Sequence, residues 1–131
     1  NFFINKMFNL RVYYEDTDAG GVVYYANYLK YLERARTQIL LDNNLNHSLL
    51  KDKYNIFFIV KSCDINYIKP AKLDNNLNII TTVNKKSRIQ IYLNQKIFFD
   101  KNLITEAFVR LVTVNNVNKV IKMPINLYKI F

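Results

Sequence analysis

The sequence predicts an α+β domain in which an antiparallel sheet surrounds one long helix. From Tyr28 to Leu40, apolar residues recur at helical spacing. Other segments are rich in β-branched and aromatic residues, several with two-residue alternation. One of these precedes the helix and four follow it in succession, and this segregation of helix from strands marks an α+β fold rather than a parallel α/β one.

Phe8, Leu10, Val12 and Tyr14 alternate with Asn9, Arg11, Tyr13 and Glu15, which predicts a first strand with one buried face. An acidic turn follows, carrying Glu15, Asp16 and Asp18, and then the only two glycines, Gly20 and Gly21. Glu15 and Asp16 read as solvated loop charges. The helix is expected from about Ala26, with Tyr28, Leu32, Ala35 and Ile39 inward and Lys30, Glu33, Arg34 and Thr37 on the other side. Asp42-Asn43-Asn44 ends it. Leu45 to Lys53 fits a short second helix.

A strand is expected from about Ile56 to Ile68, stopping before Pro70, because the residue before a proline disfavours helix. Leu77, Ile79, Thr81 and Val83 share one face of the next strand. Ile89, Ile91, Leu93 and Ile97 alternate with Gln90, Tyr92, Asn94 and Lys96. The last long strand sets Ala107, Val109 and Leu111 against Glu106, Phe108 and Arg110. Tyr92 and Phe108 leave the outer face partly apolar, which points to cover by a second subunit or another layer, a homodimer being the simplest.

With 131 residues, half of them hydrophobic, residues 1–131 read as one domain with an adequate core. The apolar opening Phe2-Phe3-Ile4 is broken by Asn5 and Lys6, too short for a signal peptide or a membrane span. The chain does not begin with Met, which leaves room for a few leading residues. A single cysteine, Cys63, excludes an internal disulfide and fits a reducing compartment, so a cytoplasmic location is expected. The net charge of +9 favours an anionic partner. The basic residues are nevertheless scattered, with Lys85, Lys86 and Arg88 the densest group, and no nucleic-acid motif accompanies them.

Much familiar chemistry is missing. There is no G-x-S-x-G elbow, P-loop or dinucleotide glycine pattern. The one histidine, His47, reads as a lone surface residue without an obvious partner, and Cys63 as a small core residue within a strand. One His and one Cys exclude a histidine/cysteine metal cluster, so no metal is expected. Carboxylates remain. Asp18 lies close to the glycines and the helix start, where unpaired N–H groups and the helix dipole favour its ionised form. From spacing alone a cap or turn is the favoured role for Asp18, with catalysis the alternative, and the glycines fit a turn needing positive φ.

The run Tyr14-Glu15-Asp16-Thr17-Asp18-Ala19-Gly20-Gly21-Val22-Val23-Tyr24, with Asn27-Tyr28 and Glu33-Arg34-Ala35-Arg36 after it, resembles the hotdog-fold acyl-CoA thioesterases. It is most similar to the branch associated with the bacterial Tol–Pal system, near the 4-hydroxybenzoyl-CoA thioesterases. Tyr67-Ile68-Lys69-Pro70-Ala71 resembles the segment leading into that family's third strand. The likeness is dense at the start of the chain and loose after Leu77. It implies a hotdog fold, a five-stranded antiparallel sheet wrapped around a long central helix, in a homodimer or homotetramer with sites at subunit interfaces.

By the same resemblance Asp18 matches the catalytic carboxylate, and the backbone N–H of Tyr25 matches the donor that polarises the thioester carbonyl. Gly21 matches the glycine of the turn between them. Lys85, Lys86 and Arg88, with Tyr28, are the implied substrate-binding residues. The Tol–Pal branch usually has histidine where this chain has Tyr25, as the hydroxybenzoyl branch does. Glu33 either assists the site or pairs with Arg34 or Arg36 on the helix surface. The implied activity is hydrolysis of a short- or medium-chain acyl-CoA, without a cofactor, since CoA is part of the substrate. Hydrolysis of thioesters on acyl carrier protein, or a non-catalytic scaffold role in envelope or lipid metabolism, are the alternatives.

Overall fold

The computed structural model describes residues 5–131, so Phe2-Phe3-Ile4 lie outside the described residues. The elements are β1 (Asn5–Arg11), a 3-10 turn (Tyr14–Asp16), α1 (Asn27–Asp42), α2 (His47–Tyr54), β2 (Phe57–Tyr67), β3 (Asn76–Lys86), β4 (Gln90–Phe99), β5 (Asn102–Val114) and α3 (Ile125–Lys129). The strands form one sheet in the order β1-β3-β4-β5-β2. Every pairing is antiparallel. A five-stranded antiparallel sheet around one long helix is the expected hotdog arrangement.

The core lies between α1 and the concave face of the sheet. Tyr28, Tyr31, Leu32, Ala35, Ile39 and Leu40 of α1 are buried. They meet Leu77, Ile79 and Val83 of β3, Ile91, Leu93 and Ile97 of β4, and Ala107, Val109 and Leu111 of β5 in one cluster. These are the inward positions that two-residue alternation assigns. Gln95 occupies the same inward row of β4 and is fully buried. Its amide is satisfied: Nε2 donates to the Leu32 carbonyl and to Thr81 Oγ1, both at 3.0 Å. Its Oε1 accepts from Arg36 at 2.9 Å. A buried amide with all these bonds made fixes how α1 seats on the sheet.

Three expectations are corrected. Strand β1 ends at Arg11, and Tyr14, expected to face inward, is 83% exposed in the 3-10 turn. Cys63 is exposed rather than in the core, because β2 is the border strand of the sheet and Lys61–Asp64 are exposed along it. The short C-terminal helix α3 goes unnoticed in the sequence. It follows Pro124 and buries Leu127.

Helix α2 begins two residues later than Leu45. Asn46 caps it, accepting the Leu49 N–H at 2.8 Å, and Asn55 ends it in the left-handed conformation at φ 52°. Among the described residues, no helix is long and apolar enough to cross a membrane.

Candidate active site

The acidic stretch folds into a small hairpin between β1 and α1. Thr17 and Val23 face each other as an antiparallel bridge, and the Asp18 N–H donates to the Val22 carbonyl at 2.9 Å. The Gly21 N–H donates to the Asp18 carbonyl at 3.0 Å, closing a three-residue loop whose last member, Gly21, takes φ +78°. That conformation favours glycine, as the turn role of Gly21 requires. The outer arm is fixed to the segment before β3: Val23 N–H to Ala71 O at 2.9 Å, and Leu73 N–H to Gly21 O at 3.1 Å.

Asp18 stands exposed at the start of this loop. Its Oδ1 accepts the Gly20 N–H at 2.8 Å. Of the two roles that spacing allowed, the turn is therefore real and the helix cap is not. Oδ2 has no partner among the described residues. Helix α1 has no side-chain cap. The first N–H groups to be paired at its start are those of Asn27, to Tyr24 O at 2.9 Å, and Tyr28, to Tyr25 O at 3.3 Å. The N–H groups of Tyr25 and Ala26 have no partner among the described residues, which leaves the positive end of the helix dipole open to an anion or a polarised oxygen.

Asp16 holds this arrangement together. It is buried, not solvated as expected, and its Oδ2 accepts the Tyr13 N–H at 2.9 Å. Its carbonyl accepts both the Tyr24 N–H at 3.0 Å and Asn27 Nδ2 at 2.9 Å. One residue thus joins the end of β1, the hairpin and the first turn of α1. The Tyr31 hydroxyl is buried near this carboxylate, outside hydrogen-bond geometry. Burial first, and the Asp16 carboxylate second, raise its pKa.

At the start of α1 is a cavity of about 250 Å³, lined by Val23, Tyr25, Tyr28, Tyr67, Ile68, Lys69 and Pro70. Tyr67 stacks edge-on against Tyr25 and Tyr28, with centroids 6.3 and 5.3 Å apart, and its hydroxyl donates to the Tyr25 carbonyl at 3.3 Å. Tyr28 reaches this cavity with its ring. Its hydroxyl is occupied, accepting the Ala71 N–H at 2.9 Å.

The structure does not bring Lys85, Lys86 and Arg88 to this place. Arg11 pairs with Asn76 at the near end of β3, whereas Lys85 and Lys86 lie at its far end. At a strand rise of about 3.3 Å per residue they are roughly 30 Å away. Two of them are also engaged. Lys86 Nζ donates to the carbonyls of Tyr128 and Phe131 and lies over the Tyr128 ring, and Arg88 Nε donates to Met123 O at 2.6 Å. Lys69 and Lys72 are the cations near the hairpin, Lys69 in the cavity wall and Lys72 bridged to Val22.

Nor is His47 alone. Thr37 donates to the Glu33 carboxylate, leaving its oxygen to accept from His47 Nε2 at 2.9 Å, and Glu33 lies 3.8 Å from the same nitrogen. Glu33 therefore serves this cluster and makes no ion pair with Arg34 or Arg36. In the sequence only the helical i, i+4 spacing of Glu33 and Thr37 hinted at it.

Comparison with known proteins agrees with this fold. Residues 12–131 match the thioesterase-like superfamily. The acyl-CoA thioesterase YbgC of Haemophilus influenzae is 40% identical over 108 residues, covering 82% of this chain and 79% of that protein. YbgC of Helicobacter pylori is 35% identical over 127 residues, covering 92% of each. Among solved structures, a probable thioesterase from Bartonella henselae superposes with a TM-score of 0.88 at 33% identity, covering 92% of this chain and 100% of that one. With a family match over nearly the whole chain and relatives at 35–40% identity, the chain belongs to the thioesterase-like superfamily.

Proposed function

We propose that this protein hydrolyses acyl-CoA thioesters to a free acid and CoA, with Asp18 as nucleophile or general base. The carrying observation is the uncapped start of α1, where the N–H groups of Tyr25 and Ala26 have no partner among the described residues, directly after the hairpin on which Asp18 keeps one carboxylate oxygen unpartnered. The substrate carbonyl accepts from the Tyr25 N–H, with the Ala26 N–H adjacent. Negative charge builds on that oxygen as the tetrahedral intermediate forms, and a preorganised donor there typically contributes about 2.7–4 kcal/mol.

With Asp18 as base, it takes a proton from water while the water oxygen bonds to the carbonyl carbon. Collapse breaks the C–S bond, and the CoA thiolate leaves and is protonated. With Asp18 as nucleophile, a mixed anhydride forms first and water then cleaves it. Thiolate leaves readily, so the absence of a histidine from the hairpin is no obstacle. The Tyr25 side chain, with Tyr28 and Tyr67, walls the space next to the carbonyl and restricts the acyl group to short or medium length.

The active unit is a homodimer in this reading. Strand β2 borders the sheet with a free edge, and Ile59 and Val60 are 41% and 48% exposed on it. An unpaired edge with apolar side chains is a template for a second copy, and antiparallel β2–β2 pairing about a two-fold axis satisfies both edges. The far-end cations Lys85, Lys86 and Arg88 can meet CoA phosphates only across a subunit boundary, whereas Lys69 and Lys72 can do so within one subunit.

Thiol release from a panel of acyl-CoAs, run beside the same acyl groups on acyl carrier protein, tests this reading. Turnover of the CoA esters is expected. Turnover confined to the carrier-protein esters would move the activity to that substrate, and no turnover on either would favour a scaffold.

A further inference from the structure

Three cavities lie end to end where α1 faces β2. The first is the Tyr25–Tyr67 cavity described above. The second, about 210 Å³, lies between Leu29 and Leu32 of α1 and Val60 and Cys63 of β2, with Val109 behind and Arg36 at its end. The third, about 130 Å³, shares Arg36 and Val60 with the second and continues to Thr37 and His47. Residue numbers rise along the helix as they fall along the strand. The cavities therefore follow one another in series along α1 and β2, leading away from Tyr25, and the second and third share walls.

Apart from Arg36, the walls of the middle cavity are apolar. Its guanidinium donates once, from Nη1 to Gln95 Oε1 at 2.9 Å, and no carboxylate lies within 4.0 Å of it among the described residues. Gln95 cannot follow a mobile partner, because its Nε2 is held by Leu32 O and Thr81 Oγ1. Glu33, the nearest acid on the helix, is committed to Thr37 and His47. Burial lowers the Arg36 pKa, and the more distant Glu33 charge only partly opposes this. A desolvated cation with most of its five donors unused is costly by itself and is relieved by an anion that reaches it.

We propose that this series of cavities selects acyl groups ending in a carboxylate, which Arg36 receives at the far end from the thioester. The inference rests on the thioesterase reading and names its substrate class: monothioesters of short dicarboxylic acids. The length follows from the helix. Because Gln95 bonds both the Leu32 carbonyl and Arg36, the guanidinium is held at the level of Leu32, seven residues beyond Tyr25, or about 10 Å along the axis. After a hydrogen bond of roughly 3 Å at each end, about three carbon–carbon bonds of ~1.5 Å span the remainder. Succinyl-CoA has that reach, and glutaryl-CoA is one bond longer. A planar guanidinium also matches a carboxylate with paired hydrogen bonds, which an unsubstituted alkyl end cannot supply.

The test compares succinyl-CoA with butanoyl-CoA and glutaryl-CoA with pentanoyl-CoA on the full chain. Native protein, Arg36→Gln and Arg36→Lys are assayed for kcat/KM, and the same esters are titrated calorimetrically into each. Thermal melting checks that the variants fold. Native protein is expected to favour the carboxylate-ended partner by roughly tenfold or more, through KM and Kd. Arg36→Gln abolishes that ratio and Arg36→Lys retains part of it. Equal kcat/KM and Kd for the paired esters in native protein would overturn the proposal while leaving thioester hydrolysis intact. So would a preference that survives Arg36→Gln, or an Arg36→Gln effect confined to subunit association. Absence of all turnover would sink the thioesterase reading, and the binding ratio would then decide the carboxylate selection separately.

Discussion

Gly20 and Asp18 are matched to each other. The Gly20 N–H donates to Asp18 Oδ1 at 2.8 Å, and a Cβ placed on Gly20 would stand 3.3 Å from that same oxygen. The glycine thus supplies a donor and leaves the room that the carboxylate occupies. Gly21, by contrast, would gain a Cβ in open space but has φ +78°. The two substitutions should separate. Gly20→Ala displaces the carboxylate by a few tenths of an ångström and is expected to lower kcat on the order of tenfold with little change in melting temperature. Gly21→Ala strains the backbone, costing about 1–2 kcal/mol, and is expected to lower melting temperature as well.

Asn27 connects the site to its helix through one bond, Nδ2 to the Asp16 carbonyl at 2.9 Å. Asn27→Ala removes that bond, and denaturant unfolding should register a loss of about 0.5–1.5 kcal/mol. Because the same bond orients the first turn of α1, kcat should fall more than KM rises.

The Gln95 network is expected to behave non-additively. Gln95→Leu leaves Arg36 and Thr81 without their buried partner and should destabilise the protein by about 1–3 kcal/mol. Adding Arg36→Met removes the stranded cation, so the double variant should recover part of the loss. A double-mutant cycle by chemical denaturation checks this, and strict additivity would contradict it.

Alkaline pH should weaken the fold. Tyr28, Tyr31 and Tyr67 all have pKa values raised above 10.0 by burial. The folded chain keeps these phenols neutral at a pH where the unfolded chain has begun to ionise them. Their contribution is therefore complete below pH 10.0 and declines as pH rises through the folded values. Tyr31, fully buried, contributes a slope of up to ~1.4 kcal/mol per pH unit in that window. Melting temperatures across the alkaline range should show the decline, and Tyr31→Phe should flatten it.

The helix and strands β3, β4 and β5 are legible in the sequence because each buries one face, which alternation or helical spacing records, whereas β2, with no fully buried residue, is legible from its β-branched and aromatic composition. Sheet order is not recorded that way. Cys63 belongs to a strand as expected, yet it is exposed because β2 is the border strand, a property of pairing rather than of local pattern. Asp16 looks like any acid among acids, and only its bonds to Tyr13, Tyr24 and Asn27 distinguish it. Gln95 could have been noticed, since it stands in register with Ile91, Leu93 and Ile97 on the inward face. The proposed site residues Asp18, Gly21 and Tyr25 stand out through family resemblance rather than spacing. Lys86 and Arg88 show the limit of reading clusters by composition, because their neighbours in space are the last residues of the chain.

The proposed pairing of Asp18 with the Tyr25 N–H in catalysis is tested most directly by Asp18→Asn. Asparagine keeps an oxygen that can accept the Gly20 N–H, so the hairpin and the melting temperature should be preserved while the charged nucleophile or base is lost. Thiol release from an acyl-CoA that the native protein turns over is the measurement. Hydrolysis should fall by at least roughly a hundredfold, the lower range of what positioned acid–base groups contribute, with acyl-CoA binding retained. Undiminished hydrolysis by the folded variant would contradict the assignment of Asp18.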